Sequence, residues 1–184
     1  MKRLYLPLML ALCVLMTSCA KSSAADKVTE FVGTLHAADK LSFTAKLRSE
    51  YGNKTVGFEL EFSSDSEGCT VTVLEPKLIS GISAHIAAGE TSLHFDDLIL
   101  DTGELDKFGL TPMSALPMLI DALKNGSCDS TWEENGEIIA HLTATDTLSV
   151  QIRFDKYTMT PTHAELISEG MVKVFVDFER WNSL

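Results

Sequence analysis

Two stretches in the first third of the chain alternate apolar and polar residues so that one pairing fits both. Leu41, Phe43, Ala45 and Leu47 alternate with Ser42, Thr44, Lys46 and Arg48, and Phe58, Leu60 and Phe62 alternate with Glu59 and Glu61. A period of two is that of a half-buried strand. A two-residue turn at Gly52-Asn53 sets Leu47 opposite Phe58, Ala45 opposite Leu60 and Phe43 opposite Phe62, and it also sets Lys46 against Glu59. One register therefore satisfies the apolar and the charged face together, which specifies an antiparallel hairpin. Asp65-Ser66-Glu67-Gly68 then turns the chain into Cys69–Leu74, with Val71 opposite Phe62 and Val73 opposite Leu60. A sheet built this way has one apolar face, and that face has to be covered.

Two segments have the helical period that could cover it. Val28, Phe31, Val32 and Leu35 recur at helical spacing behind Asp26, which predicts a helix over 26–38 capped by Asp26. Leu116, Leu119, Ile120 and Leu123 predict a second helix over 115–125, capped by Ser114, with Pro117 tolerated in its first turn and Asn125-Gly126 ending it. The second helix lies in an otherwise irregular stretch, 102–118, that holds Gly103, Gly109, Pro112 and Pro117. Between the helices, after a break from Pro76 to Gly81, a hairpin over 82–96 turning at Gly89-Glu90 pairs Ile86 with Leu93 and Ala84 with Phe95, and Leu98-Ile99-Leu100 continues the sheet after a kink at Asp96-Asp97. Trp132-Glu133-Glu134 reads as loop. A turn at Thr145-Asp146-Thr147 then pairs Ala144 with Leu148, Leu142 with Val150, Ala140 with Ile152 and Ile138 with Phe154. A last hairpin around Ser168-Glu169-Gly170 pairs Leu166 with Val172, Ala164 with Val174 and Glu165 with Lys173. The fold class is α+β: an antiparallel meander with an N-terminal helix and an inserted helix over its apolar face.

The first residues say where the chain works. Met-Lys-Arg, an apolar run from Leu4 to Met16 and then Thr17-Ser18 before Cys19 make a secretory signal. The run is shorter than the roughly 20 residues a membrane span needs. Leu15-Met16-Thr17-Ser18-Cys19 resembles the lipobox of bacterial lipoproteins, which implies cleavage after residue 18 and acylation of the Cys19 sulfur. Residues 19–25 then form the acylated cysteine and its tether, and 26–184 form one domain, exported and held on the extracytoplasmic side of a bacterial membrane. Removing Lys2 and Arg3 deepens a net charge of −11 by two. Such a domain is repelled by nucleic acid and by anionic headgroups, so membrane attachment rests on acyl chains. Cys69 and Cys128 remain after export; an exported location permits a disulfide between them, and two small thiols fit the sequence equally well.

The order of elements is similar to that of the LolA/LolB superfamily of bacterial lipoprotein carriers and acceptors. Three features carry the likeness: the helix and meander over 26–75; Leu74-Glu75-Pro76-Lys77-Leu78-Ile79-Ser80-Gly81-Ile82 at the break, followed by a glycine-turn hairpin; and the closing pair Pro161–Ile167 and Val172–Phe178. The resemblance implies a strongly curved sheet, an incomplete barrel, whose open side is closed by helices around an apolar cavity for acyl chains of lipids or lipoproteins. On that reading the inserted helix is a lid. Phe43, Phe58, Phe62, Phe95 and Phe154 from the sheet, with Met113, Leu116, Met118 and Ile120 on or beside the helix, are the cavity candidates. The alternative for the same residues is plain core. The anchored relatives of this fold imply a second role: the clostridial lipoprotein GerS docks a cell-wall amidase, so an envelope or cell-wall protein is the other partner class.

Nothing in the sequence marks an enzyme. No nucleophile elbow, phosphate loop or HExxH motif occurs, and no cofactor is implied. The 82–96 register sets His85 opposite His94 with Ser83 opposite Asp96, a set that would hold a metal only weakly. A solvated polar face needs no ion, and no metal site is expected.

Overall fold

The structure, a computed structural model, describes residues 23–51, 54–96, 98–103 and 110–183. The signal segment, Cys19 and the Gly52-Asn53 turn lie outside the described residues.

Helix α1, Ala24–Ala37, begins two residues before the expected start. Ser23 is its cap: the Ser23 hydroxyl accepts from the Asp26 backbone N–H at 3.2 Å, and the Asp26 carboxylate accepts from the Ser23 N–H at 2.9 Å. Asp26 is thus the returning half of a capping box and not the cap itself. The strands are β1 Leu41–Tyr51, β2 Lys54–Ser64, β3 Cys69–Glu75, β4 Ser83–Ala87, β5 Glu90–Phe95, β6 Leu98–Gly103, β7 Ser127–Glu134, β8 Glu137–Thr143, β9 Leu148–Asp155, β10 Pro161–Ser168 and β11 Met171–Ser183. They form one antiparallel sheet in the order β6-β5-β4-β3-β2-β1-β11-β10-β9-β8-β7. Each strand pairs with its neighbour in sequence, except that β1 and β11, the first and the last, pair with each other in the middle. The sheet is not closed, and the fold is the α+β incomplete barrel that the resemblance implied.

Helix α2, Pro112–Asn125, lies in the connection between the two edge strands, β6 and β7. It starts three residues earlier than expected. Thr111 is the cap, in a second capping box with Ser114, so Ser114 is the third helical residue. Pro112 takes the first position, where its missing N–H costs nothing, and Pro117 stands inside the helix and not in its first turn. Gly126 ends it as expected but for another reason. Its φ is −70°, so no left-handed turn is needed; a Cβ there would run into the carbonyl oxygen of Ala122.

The registers divide into two groups. Leu47↔Phe58, Lys46↔Glu59, Ala45↔Leu60, Phe43↔Phe62, Phe62↔Val71 and Leu60↔Val73 stand as expected, as do Leu142↔Val150, Ala140↔Ile152 and Ile138↔Phe154. The other two hairpins are displaced by two residues. Ala84 faces Leu93 and Ile86 faces Thr91, around a turn at Ala88-Gly89. Leu166 faces Val174, Ala164 faces Val176 and Glu165 faces Phe175, around a turn at Glu169-Gly170. Trp132-Glu133-Glu134 is strand, not loop: it ends β7 before a two-residue turn at Asn135-Gly136. Both helices lie on the inner face. Their Val28, Leu35, Leu116, Leu119 and Leu123 join Phe43, Leu60, Phe62, Val71, Ile152 and Phe154 of the sheet in one buried cluster.

Candidate functional site

The nine cavity candidates separate into three environments. Phe43, Phe62, Leu116, Ile120 and Phe154 are buried. Leu116 and Phe154 have 0% exposure and Phe62 1%. A side chain with no accessible area borders no void that admits water, so these residues are packed core beneath α2. Phe43 is the centre of that core: its ring stacks on Phe62 at 4.9 Å and on Trp181 at 4.8 Å, and Phe178 meets it edge-on at 5.3 Å. Phe58, Met113 and Met118 are half-buried against the same cluster. Phe95 is outside it, 44% exposed at the end of β5. The two-residue displacement of that hairpin is the reason. Phe95 faces Leu98 of β6 and has moved past Ala84, the position at which the sequence register placed it under cover.

Among the described residues a concave space lies beside α1. A cleft of about 440 Å³ opens between α1 and the β9–β10 loop, lined by Lys27, Phe31, Leu35, Tyr157, Met159 and Trp181 among others. Phe31 packs edge-on against Phe154 at 4.8 Å, which fixes the cleft's floor to the core. The Lys27 ammonium donates to the Lys156 carbonyl at 2.8 Å, which ties the first turn of α1 to the loop. Lys156 in turn pairs with Glu133 of β7. Strict alternation along β11 would turn Trp181 away from the Val174, Val176 and Phe178 face. A bulge prevents this. Ser42 pairs with Asn182 and Thr44 with Glu179, so Phe43 faces two residues, and Arg180 takes φ 49°. The extra residue rotates Trp181 back onto the inner face. A tryptophan three places beyond the last apolar residue of an alternating run, Phe178, is the signal the sequence carries for it.

The two edges of the sheet differ in chemistry. β7 presents Ser127, Cys128, Asp129, Ser130, Glu133 and Glu134 to solvent, with Trp132 38% exposed among them. β6 presents Leu98, Ile99 and Leu100, which are 56%, 63% and 52% exposed. Leu100 faces Leu93 and Leu98 faces Phe95, so both leucines and Phe95 extend the inner face beyond the helices' cover. Ile99, paired with His94, projects from the outer face. Charged and polar edges resist pairing with other chains; an apolar one invites it.

The polar groups of the described residues are arranged as follows. Cys69 and Cys128 are free thiols. Burial pushes the Cys69 thiol up to about 11, and burial, with the charge of Asp129 behind it, raises Cys128. Both therefore stay protonated near neutral pH, where a nucleophile needs the thiolate. His85 faces Ser92 and His94 faces Ser83; neither the expected His85–His94 pairing nor Ser83 opposite Asp96 is present. Among the described residues no three His, Cys, Asp or Glu side chains gather as a metal site, and no helix is long and apolar enough to cross a membrane.

No protein-family model matches the chain, and no curated protein matches it. Solved structures do. An uncharacterized conserved protein from Thermus thermophilus superposes with a TM-score of 0.51 at 9% identity, over 88% of each chain. A DUF1329 family protein from Desulfovibrio piger gives 0.51 at 9% identity, over 85% of this chain and 90% of that one. A LolA superfamily protein from Nitrosomonas europaea gives 0.48 at 10% identity, over 84% and 92%. At 9% identity the two likenesses with a TM-score of 0.51 show the fold alone.

Proposed function

We propose that this protein is a non-enzymatic docking module of the bacterial cell envelope, tethered by an acylated Cys19, that holds a protein partner along its β5–β6 edge. The observation that carries the reading is the contrast between the edges: β7 exposes serines, Asp129, Glu133 and Glu134 around a single large apolar side chain, Trp132, whereas β6 exposes Leu98, Ile99 and Leu100 in succession beside Phe95. The burial of Phe62, Leu116 and Phe154 supports it as well, since these side chains are taken up by packing against one another's cluster. The outermost strand offers a row of unpaired backbone groups as a template, and the apolar side chains supply the contact area. The fitting partner is an envelope or cell-wall protein that presents an extended apolar segment. Photo-crosslinking from position 99 in native envelopes tests this, with position 130 on β7 as the control. One protein should be joined in stoichiometric amount from position 99, not from 130, and Leu98→Asp should abolish the product. Equal products from both positions would end the docking reading.

The cleft beside α1 supports a second reading, in which the module takes an acyl chain of a lipid or lipoprotein. Phe31, Leu35, Met159 and Trp181 give it apolar walls, and 440 Å³ lies within the range of ligand sites. The four residue-to-residue steps from Cys19 to Ser23 span at most about 14 Å, so the anchor keeps this end of the domain near the bilayer. Native mass spectrometry of the purified protein distinguishes the two: co-purified lipid that is lost in Trp181→Ala favours the cleft, and lipid-free protein with an intact partner complex favours the edge.

A further inference from the structure

We propose that His85 and His94 bind a divalent transition-metal ion of the zinc class on the outer face of the β4–β5 hairpin. The two rings lie 6.4 Å apart between centres, although the strand register does not place the residues opposite one another. They are diagonal neighbours: His85 pairs with Ser92, two residues before His94 on β5. A ring centre stands roughly 3 Å from a zinc ion that its nitrogen ligates at about 2.0–2.1 Å, so tetrahedral ligation sets the two centres about 5 Å apart and the rings have to close by about 1 Å from 6.4 Å. The rings are inclined at 81°, and the broad χ2 torsion of histidine lets one of them turn toward a shared ion.

The hydroxyls around the pair decide which nitrogens are free. Thr70 Oγ1 lies 3.1 Å from His85 Nδ1, and Ser92 Oγ lies 2.9 Å from His94 Nε2. With each hydroxyl accepting from its ring N–H, the proton is held on the hydroxyl side. His85 Nε2 and His94 Nδ1 then carry lone pairs. This is the arrangement of metal-ligating histidines, whose other ring nitrogen donates to an oxygen that fixes tautomer and orientation. Imidazole suits zinc, copper and nickel, and a two-histidine site leaves the remaining positions to water. The thiol of Cys69, on the neighbouring strand β3, pairs in register with Ile86 and belongs to the opposite face. The ion would cross-link β4 to β5, the hairpin that carries the apolar edge, but the inference does not depend on the docking reading.

The test is a zinc titration of the purified protein, read by nitrogen-15 signals of the histidine rings and by calorimetry. The ring signals of His85 and His94 should move together and saturate at one ion per chain, while those of His36, His141 and His163 stay in place. His94→Gln and His85→Gln should each weaken binding at least about tenfold, and Thr70→Val by a smaller factor within the 10–100-fold range of outer-shell losses. In chelator both histidine variants should unfold at the parent's temperature, and only the parent should gain stability on adding zinc. If the metal moves only His141 or His163, or if the double variant His85→Gln, His94→Gln binds zinc as tightly as the parent, the site does not exist.

Discussion

Phe43→Ala tests the centre of the fold. The Phe43 ring is 2% exposed and touches three other aromatic rings: Phe62 at 4.9 Å, Trp181 at 4.8 Å and Phe178 at 5.3 Å. Truncating a buried phenylalanine to alanine costs about 3–5 kcal/mol, the spread depending on how far the site collapses. Here collapse is resisted. The position belongs to β1, which is hydrogen-bonded on both sides, to β2 and to β11, so the backbone has little freedom to close the gap. Each aromatic pair is also worth about 0.5–1.5 kcal/mol beyond its buried area. The expected loss is therefore at the upper end, about 4–5 kcal/mol. In urea, with a slope of about 2 kcal/mol per molar, this lowers the midpoint by roughly 2 M. Trp181 fluorescence should report the same transition, since its ring rests on the deleted one. A double-mutant cycle with Phe62→Ala should return a coupling of about 0.5–1.5 kcal/mol. A loss below about 1 kcal/mol, or no coupling, would mean that Phe43 and Phe62 do not face each other and that the β1–β2 register is wrong.

Three further outcomes are expected. Cys19→Ser should take up no clickable fatty acid in growing cells, because the thiol is the acceptor; labelling equal to the parent would remove the lipid anchor. Leu116→Gln with Met118→Gln should destabilise the protein by roughly 1–3 kcal/mol for the amide at Leu116, which has nowhere to be solvated, and leave binding of an acyl probe in the α1 cleft unchanged; a lost probe with unaltered urea midpoint would make α2 a lid after all. The Cys69 thiol titrates at about 11 in the fold and 9.0 when free, so the protonated form is favoured by folding: stability is fully present below pH 9 and falls as pH rises toward 11. A Cys69→Ser variant should lack that component of the alkaline decline, and parallel curves for the two proteins would show that the thiol is solvated in both states.

How much the residues disclosed depended on what else besides alternation they carried. In β1 and β2 the aromatic pair Phe43–Phe62 and the charge pair Lys46–Glu59 select one register. In β4–β5 and β10–β11 the pattern is small or aliphatic side chains, and a slide of two residues leaves every side chain on its proper face. Both displaced hairpins turn through residues that sequence logic does not favour there: Ala88 at φ 51° and Glu169 at φ 53°, each followed by a glycine. Asn135-Gly136, with φ of 52° and 84°, is the residue pair such a turn prefers. The helices were found from their apolar stripes. Their first turns lie outside those stripes, because serine or threonine three residues upstream of Asp26 and Ser114 provides the reciprocal cap. The cleft was not legible at all, since Trp181 enters it only through a bulge that counts one residue against two.

The pairing of β1 with β11 bears on how the chain reaches this state. Leu41 is hydrogen-bonded to the strand that ends at Ser183, while every other ladder joins strands that follow directly in the sequence. Two meanders, β1–β6 and β7–β11, can therefore zip up hairpin by hairpin from local contacts, and only their shared seam requires the whole polypeptide. Seams of such long sequence separation close slowly. The slow step of folding is therefore the closing of β1 on β11, after the two meanders have formed.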